Sequence, residues 1–430
     1  MYLTPMSKLT AAKRVAIGDY NYPLPEERIA KHPLADRSAC KLLVPSKSGC
    51  ADYLFSDLPR LLPSDALLVR NTSKVIKARI FAEKPSGAVI ELFCLSPVAP
   101  SSYDRALATT DQTTWKCLIG NAKRWKDASQ VLTKSLFLPD GTPVTLQMEH
   151  AGEDGLIRFS WDNPSITFGS ILELIGELPI PPYLKRATEQ SDLTDYQTVY
   201  ASLEGSVAAP TAGLHFTDEL LQEITAKGVE ICDVCLHVGA GTFLPVKSEE
   251  IGAHEMHREL CSVTCNTLQT ILRYIGRIVA VGTTSVRATE SLYHLARALY
   301  EGQISADELR HVPEIGQWQP YESEDPAPEA SIVLTHLLET MQHLGIDEVH
   351  FMSGLLIVPG YEWRIINALI TNFHQPKSTL LLMIAALIGP RWREVYRHAL
   401  DNEYRFLSYG DASLLVGDSF HSTEKTPLSE

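Results

Sequence analysis

The fold class follows from the stretch IVAVGTTS at residues 278–285. A run of small and β-branched apolar residues is typical of a strand buried on both faces. The glycine and hydroxyl residues after it, and the helical apolar spacing through Leu295, predict a helix. A buried strand that leads directly into a helix is the unit of a parallel sheet, so we expect an α/β main domain. The run LLIV at 355–358, which stops at Pro359-Gly360, is predicted as another such strand.

Residues 70–159 have a different pattern. Short β-prone runs alternate with turn formers, as in VIELF at 89–93, WKCLI at 115–119, PVTL at 143–146 and LIRF at 156–159. This spacing predicts a small antiparallel β-barrel domain. We therefore expect an α/β main domain, residues 1–69 and 160–430, interrupted by a β-barrel domain at residues 70–159. The length of 430 residues agrees, because one hydrophobic core stops growing at roughly 250–300 residues.

Charge is distributed unevenly along the chain. The net charge of -14 argues against a general nucleic-acid binder. Residues 70–126, however, hold ten basic and four acidic side chains, which makes this segment a candidate for RNA contact. Residues 301–350 hold eleven acidic side chains and one arginine, and we expect them to face away from any phosphate backbone.

The overall composition is that of a folded protein. A content of 45% hydrophobic and 21% charged residues excludes global disorder and a pure coiled coil. The apolar run LLLMIAALI at 380–388 is too short to cross a bilayer, and the first residues lack a secretory pattern. We expect a cytoplasmic protein without membrane contact.

Cysteine and histidine spacing gives little support for a metal. Eight cysteines without a secretory pattern indicate free thiols. Cys232 and Cys235 lie on a predicted strand and point to opposite faces, so they cannot share an ion. His254 and His257 do not have the H-E-x-x-H spacing, although a helical pair three residues apart would leave a shared ligand as a minor alternative. We expect no metal and no tightly bound cofactor.

Three loops are candidates for ligand binding. In AAPTAGLHFT at 208–217, small residues allow a ligand close to the backbone and Thr217 is placed to cap a helix. In LHVGAGTF at 236–243, a strand ends in glycines but lacks the third glycine of a dinucleotide motif. The start of the helix after Val281, with Arg287, is a plausible seat for a carboxylate or a phosphate. Ordinary caps and packing glycines would explain each loop taken singly.

Together, the blocks resemble the S-adenosylmethionine:tRNA ribosyltransferase-isomerase family of queuosine biosynthesis. They occur in family order across nearly the whole chain. The blocks are PLADRS at 33–38 with KLL at 41–43, 71–79, LPIPPY at 178–183, YQTVY at 196–200, 208–216, 236–243, HEMH at 254–257, 281–287, Pro359-Gly360, TNFH at 371–374, and YRF with SYGD at 404–411. The chain departs from the family pattern at Lys77 and Gln375, and residues 301–350 are longer than in compact members.

The resemblance implies a reaction. The ribosyl part of S-adenosylmethionine is transferred and isomerised onto 7-aminomethyl-7-deazaguanine in tRNA, giving epoxyqueuosine-tRNA, adenine and methionine. S-adenosylmethionine is then a co-substrate, the partner is tRNA carrying the deazaguanine precursor, and no stable protein partner is expected. Two alternatives stay open, which are a non-catalytic tRNA-binding relative and an S-adenosylmethionine-dependent RNA methyltransferase.

The matching blocks also indicate site residues. We expect the catalytic groups to be His215, His237, Tyr409 and Asp411, with one of the two histidines as general base. The expected substrate-binding residues are Thr211, Gly213, Gly239, Gly241, Thr242, Thr283, Thr284, Arg287, Asn372 and His374. For tRNA, we expect charge and a stacking surface from Lys123, Arg124, Trp125 and Lys126.

Overall fold

The computed structural model describes residues 6–46, 49–127, 129–152, 155–239, 241, 246, 248–421 and 424. Its α-helices are α1 (Lys8–Lys13), α2 (Leu58–Leu61), α3 (Tyr103–Leu107), α4 (Phe168–Ile175), α5 (Asp192–Asp195), α6 (Asp218–Ala226), α7 (Cys265–Arg273), α8 (Gly282–Tyr300), α9 (Ala330–Leu344), α10 (Thr379–Ile388) and α11 (Trp392–Asp401).

The strands form three sheets. They are β1 (Lys41–Ser46), β2 (Gly49–Leu54), β3 (Leu67–Asn71), β4 (Ser73–Val75), β5 (Arg79–Glu83), β6 (Val89–Ala99), β7 (Gln112–Gly120), β8 (Leu132–Phe137), β9 (Pro143–His150), β10 (Leu156–Trp161), β11 (Leu203–Ser206), β12 (Glu230–Leu236), β13 (Glu259–Thr264), β14 (Ile278–Val281), β15 (Glu314–Ile315), β16 (Glu348–Ser353), β17 (Ala368–Asn372) and β18 (Ala412–Val416).

The largest sheet is mixed, with the strand order β15-β16-β13-β12-β3-β14-β17-β18-β1-β2. Its centre is parallel, because β12, β3, β14 and β17 run in one direction. Every residue of β14 and β17 is buried, as expected for strands covered on both faces. The carboxyl ends of parallel strands meet at one edge of a sheet, which brings the segments after Val281 and around Asn372 together.

The smaller sheet is antiparallel, with the order β5-β6-β7-β10-β9-β8. Burial alternates along its strands, so one set of side chains fills an independent core around Trp115, Leu146 and Phe159. Helix α4 packs on that core. The sheet is nearly closed, and Lys134 Nζ of β8 donates to Phe81 O of β5 across the seam at 2.6 Å. A short parallel pair, β4 and β11, connects the sheet to the main domain.

The predicted α/β domain interrupted by an antiparallel barrel is confirmed. The barrel strands run from Arg79 to Trp161, while β3 continues in the main sheet to Asn71. The domain boundaries at residues 70 and 159 stay a prediction. Thr217 caps α6 as predicted, since its side chain accepts from Leu220 N at 3.2 Å.

The predicted strand at 355–358 is wrong. The segment is extended and buried, but no neighbouring strand pairs with it in the described residues. Side chains satisfy several of its backbone groups, since Arg287 Nε donates to Leu355 O at 3.3 Å and Val358 N donates to Tyr321 Oη at 3.0 Å. An apolar run before Pro-Gly looks like a strand in the sequence, because the distant side chains that bind its backbone cannot be foreseen.

Within the described residues, no helix is both long and apolar enough to span a bilayer.

Candidate functional site

A cleft opens at the carboxyl ends of β14 and β17. It encloses about 1210 Å³ that no protein atom fills, counting solvent at its open side. The lining comes from distant segments, mainly 208–212, His254 to His257, Gly282 to Thr284, 355–357, 371–375 and 378–380, with Tyr183, Tyr196 and Met383.

One wall of the cleft is the N-terminus of α8. Gly282 begins the helix with a φ of +82°, a conformation that favours glycine. The helix has no side-chain cap and no acidic residue in its first turn. Thr284 Oγ1 is buried without a partner among the described residues. Free backbone N–H groups, the positive end of the helix dipole and an unused hydroxyl make this wall suited to a carboxylate.

Asn372 connects the cleft to a buried histidine. Its Oδ1 accepts from Thr211 Oγ1 at 3.0 Å, and its Nδ2 donates to His215 Nε2 at 2.9 Å. His215 Nδ1 is 3.3 Å from Cys40 Sγ. Burial, with smaller contributions from Arg405 and Arg37, lowers the pKa of His215 to about 3. The imidazole is therefore neutral, and its Nε2 lone pair is bound to the Asn372 amide.

A second histidine, His257, lies directly on the cleft wall. Its Nε2 is 4.0 Å from Oε1 of the buried Glu259. Glu259 Oε1 also accepts from Gly239 N at 2.8 Å, and Oε2 accepts from Arg287 Nη1. Arg287 further donates to Leu355 O and Ser353 O. The guanidinium is thus bound to protein groups, which argues against its predicted role as a carboxylate ligand.

Two further contacts fix the far wall. His374 Nε2 is 2.8 Å from Thr371 Oγ1, and burial lowers the pKa of His374 to about 3. Tyr183 Oη and Ser408 Oγ are 2.5 Å apart. The wall therefore presents neutral, hydrogen-bonded groups beside the apolar side chain of Met383.

The structure brings most predicted substrate-binding residues to the cleft. Thr211, Gly241, Thr283, Thr284, Arg287, Asn372 and His374 line it. Gly213 and Gly239 lie outside the lining. Gly213 faces Tyr200, whose Oη would be 2.1 Å from an added Cβ, so this glycine serves close packing. Thr242 lies outside the described residues. The role of each residue toward a substrate stays a prediction.

None of the four predicted catalytic residues lines the cleft. His215 stands behind Asn372, and the ring of His237 stacks on Tyr103 at 4.5 Å. Tyr409 Oη donates to Asp192 Oδ1 at 2.9 Å. Asp411 accepts from Lys41 N at 2.9 Å and from Arg405 N at 2.6 Å. His215, Tyr409 and Asp411 are hydrogen-bonded within the protein, whereas His237 Nδ1 is buried without a partner among the described residues. The catalytic role of all four residues stays a prediction.

Trp125 does not provide the predicted stacking surface. It is 2% exposed, its Nε1 donates to Gln130 O at 2.9 Å, and its ring lies 4.0 Å from that of His150. Lys123, Arg124 and Lys126 on either side are exposed. The tryptophan belongs to the barrel core, and only its charged neighbours face solvent.

The expected substrate loops did not include His254, His257, Glu259 and Tyr183. The HEMH block at 254–257 is one of the blocks that resemble the family, but its spacing alone suggests a metal pair and not a base. The residues are not helical, since the chain is extended before β13 begins at Glu259. Their common position depends on the pairing of β13 with β16, which is distant in sequence.

The fold and cleft define an α/β protein with an inserted barrel and a ligand site at the sheet edge. The sequence model described as "Queuosine biosynthesis protein" matches residues 17–322 and 328–415. The chain belongs to this family. Residues 323–327 separate the two matched parts, and the expectation that residues 301–350 are longer than in compact members stays a prediction.

Individual relatives of known name are similar over nearly the whole chain. The chain is 36% identical to an S-adenosylmethionine:tRNA ribosyltransferase-isomerase of Trichlorobacter lovleyi and 38% identical to one of Citrifermentans bemidjiense, in each case over 93% of this chain and 99% of the relative. A solved S-adenosylmethionine tRNA ribosyltransferase from Thermotoga maritima aligns over 93% of this chain and 100% of that one, with 24% identity and a TM-score of 0.42.

Proposed function

We propose that this protein is an S-adenosylmethionine:tRNA ribosyltransferase-isomerase. It transfers and isomerises the ribosyl part of S-adenosylmethionine onto 7-aminomethyl-7-deazaguanine in tRNA, releasing adenine and methionine. Family membership and the names of relatives at 36–38% identity over nearly full length support this activity. S-adenosylmethionine is a co-substrate, and the reaction needs no resident cofactor.

The observation that carries the proposal is the open N-terminus of α8 inside a largely apolar cleft. The methionine carboxylate of S-adenosylmethionine suits the free N–H groups of Gly282 to Thr284 and the unpartnered hydroxyl of Thr284. Met256 and 355–357 offer apolar surface for the adenosine, and the Tyr183 and Tyr196 rings suit a positively charged sulfonium.

The chemistry divides between substrate and protein. The sulfonium acidifies the ribose C5′ hydrogens and makes methionine a good leaving group, so the co-substrate supplies the reactivity. The precursor amine resembles lysine, with an ordinary pKa of about 10.4, and must lose a proton before it attacks. The protein holds both partners out of water and supplies a base.

We place tRNA contact on the barrel. Exposed Lys123, Arg124 and Lys126 lie at one end of it, where Lys84 Nζ donates to Arg124 O at 2.6 Å. These cations suit phosphate groups, whereas the acidic stretch at 301–350 lies in the main domain. A tRNA substrate also fits the proposed cytoplasmic location, and we propose no stable protein partner.

Mass spectrometry of the products tests the activity. The full chain is incubated with S-adenosylmethionine and tRNA carrying the deazaguanine precursor. Adenine, methionine and a mass gain on the tRNA are expected. S-adenosylhomocysteine with methylated RNA would instead indicate a methyltransferase. Retained tRNA binding without any small-molecule product would indicate a non-catalytic relative.

A further inference from the structure

We propose that His257 is the base that takes a proton from the ribose C5′ of S-adenosylmethionine, with Glu259 and Arg287 as positioning residues. This inference rests on the proposed function and assigns the base for it. The C5′–H bond breaks, its electron pair stays on C5′ beside the positive sulfur, and the proton goes to His257 Nδ1.

The placement of His257 distinguishes it from the other candidates. Its side chain is 32% exposed on the cleft wall. The ring of His215 is separated from the cleft by Asn372, and its Nε2 already accepts the amide proton. His374 also lines the cleft, with Nε2 engaged by Thr371 Oγ1, but burial alone shifts its pKa, whereas the nearby carboxylate of Glu259 supports His257. A base needs both access to the substrate and a free lone pair. His257 lines the cleft and no described residue bonds to its Nδ1, whereas His237, which also has an unbonded Nδ1, is outside the lining.

Glu259 is built to orient that ring. Its side chain is 1% exposed, and its oxygens are held by the Gly239 amide and the Arg287 guanidinium. Arg287 is in turn anchored on Ser353 O, and Ser353 pairs with Glu259 across β13 and β16. Oε1 lies 4.0 Å from Nε2 of His257, beyond hydrogen-bond distance, so the carboxylate acts through its charge, which favours a proton on Nε2 and leaves Nδ1 as acceptor. The same carboxylate stabilises the imidazolium once Nδ1 is protonated.

Charge around the ring keeps it neutral before reaction. Burial lowers the pKa of His257, Glu259 raises it, and Arg287 and His254 lower it further. The net direction is downward from the ordinary value of about 6.5, so the ring is an unprotonated acceptor at neutral pH.

A substitution at Gly241 offers an independent way to displace the His257 ring. A Cβ at this position would lie 2.2 Å from His257 Nδ1 and 2.3 Å from Cε1. Gly241→Ala therefore forces the imidazole to move while Glu259 and Arg287 remain in place.

The experiment uses S-adenosylmethionine deuterated at C5′ with precursor tRNA. Wild type is expected to release adenine and to lose one deuterium from the transferred ribosyl group. His257→Gln should slow both at least a hundredfold while the Kd for S-adenosylmethionine changes less than threefold. Gly241→Ala should slow both at least tenfold, which keeps the test valid if His257→Gln does not fold. The matched control is His350→Gln, since His350 Nε2 lies 3.7 Å from Glu348 Oε2 outside the cleft.

Glu259 is tested through the pH profile. Loss of its negative charge lowers the pKa of His257, so the acid limb of kcat should move to lower pH in Glu259→Gln, with a rate drop that Glu259→Asp partly restores. A purely structural role would lower Tm without moving the limb.

Each outcome decides a separate question. Wild-type adenine release and deuterium loss in His257→Gln would overturn the assignment. A weaker Kd with an unchanged saturated rate would make His257 a binding residue and also overturn it. Absence of adenine release from the wild type would refute the proposed function itself.

Discussion

The main sheet and the barrel build their surfaces in different ways. All described residues that line the cleft belong to the main domain, and they come from segments as far apart in sequence as Tyr183 and Ser408. The barrel has a core of its own, and its cationic group lies within four consecutive residues at one end. A site for a small, reactive co-substrate needs convergence from many directions, whereas a phosphate surface needs only exposed charge.

Buried side chains also have different roles in the two regions. In the main domain, Glu290 of α8 is fully buried and accepts from the amides of Arg364, Ile365 and Ile366. These bonds connect the helix to the segment before β17, so both cleft walls are held together. In the barrel, burial serves packing, as with Trp125.

Trp125→Ala separates packing from RNA stacking and is expected to have the largest effect. Removal of a fully buried indole should lower the free energy of unfolding by about 4 kcal/mol, through lost burial and a cavity. Urea unfolding measures the change, and the exposed neighbour Lys126→Ala is the control, expected within about 0.5 kcal/mol. Unchanged stability with weaker tRNA binding would restore the stacking role.

Thr284→Glu tests the proposed carboxylate-binding site in the main domain. A negative side chain in the first turn of α8 should repel the methionine carboxylate and raise the Kd for S-adenosylmethionine about a hundredfold, or about 2.7 kcal/mol. The helix itself should tolerate the change, since acids suit helix N-termini. Calorimetric titration gives the Kd.

Thr289→Val is the matched control for this prediction. Thr289 Oγ1 is also buried without a partner among the described residues of the same helix, but it does not line the cleft. Its replacement should leave the Kd unchanged. Equal affinity in Thr284→Glu and wild type would move the carboxylate elsewhere.

Local sequence was sufficient where the decisive physics is local. The start of α8 and the alternating barrel strands follow from residues adjacent in the chain, and both were predicted correctly. Which histidine faces the cleft was not predictable, because the position of His215 depends on its contact with Asn372 and that of His257 on the pairing of β13 with β16, both distant in sequence. The prediction that Trp125 provides a stacking surface was wrong for a related reason. Its cationic neighbours suggested exposure, yet the loop turns its ring into the barrel.

Acid should weaken the main domain through its buried histidines. The pKa of His294 is lowered to about 3 by burial and by Arg364 and Arg297, and its Nε2 lies 3.0 Å from Tyr361 Oη. The unfolded chain binds the proton below about pH 6.5 and the folded chain does not, so stability falls as pH drops from 6.5 toward 3. At pH 5 the loss is about 2 kcal/mol for this residue. Urea unfolding of His294→Gln at pH 7 and pH 5 should show a smaller pH effect by that amount, and an equal effect in both proteins would contradict it.

Neutralising the barrel cations should have the smallest effect and sharpens the division of labour. The triple change Lys123→Gln, Arg124→Gln and Lys126→Gln should weaken tRNA binding about tenfold, or about 1.4 kcal/mol, and reduce the slope of log K against log salt by about 2–3. The Kd for S-adenosylmethionine should not change, since these residues are outside the cleft. The control is Arg60→Gln with Arg273→Gln, two arginines of the main domain with side chains 66% and 60% exposed. Only residues that contact phosphates contribute to the salt dependence. A slope that decreases in the control but not in the triple variant would therefore place tRNA on the main domain.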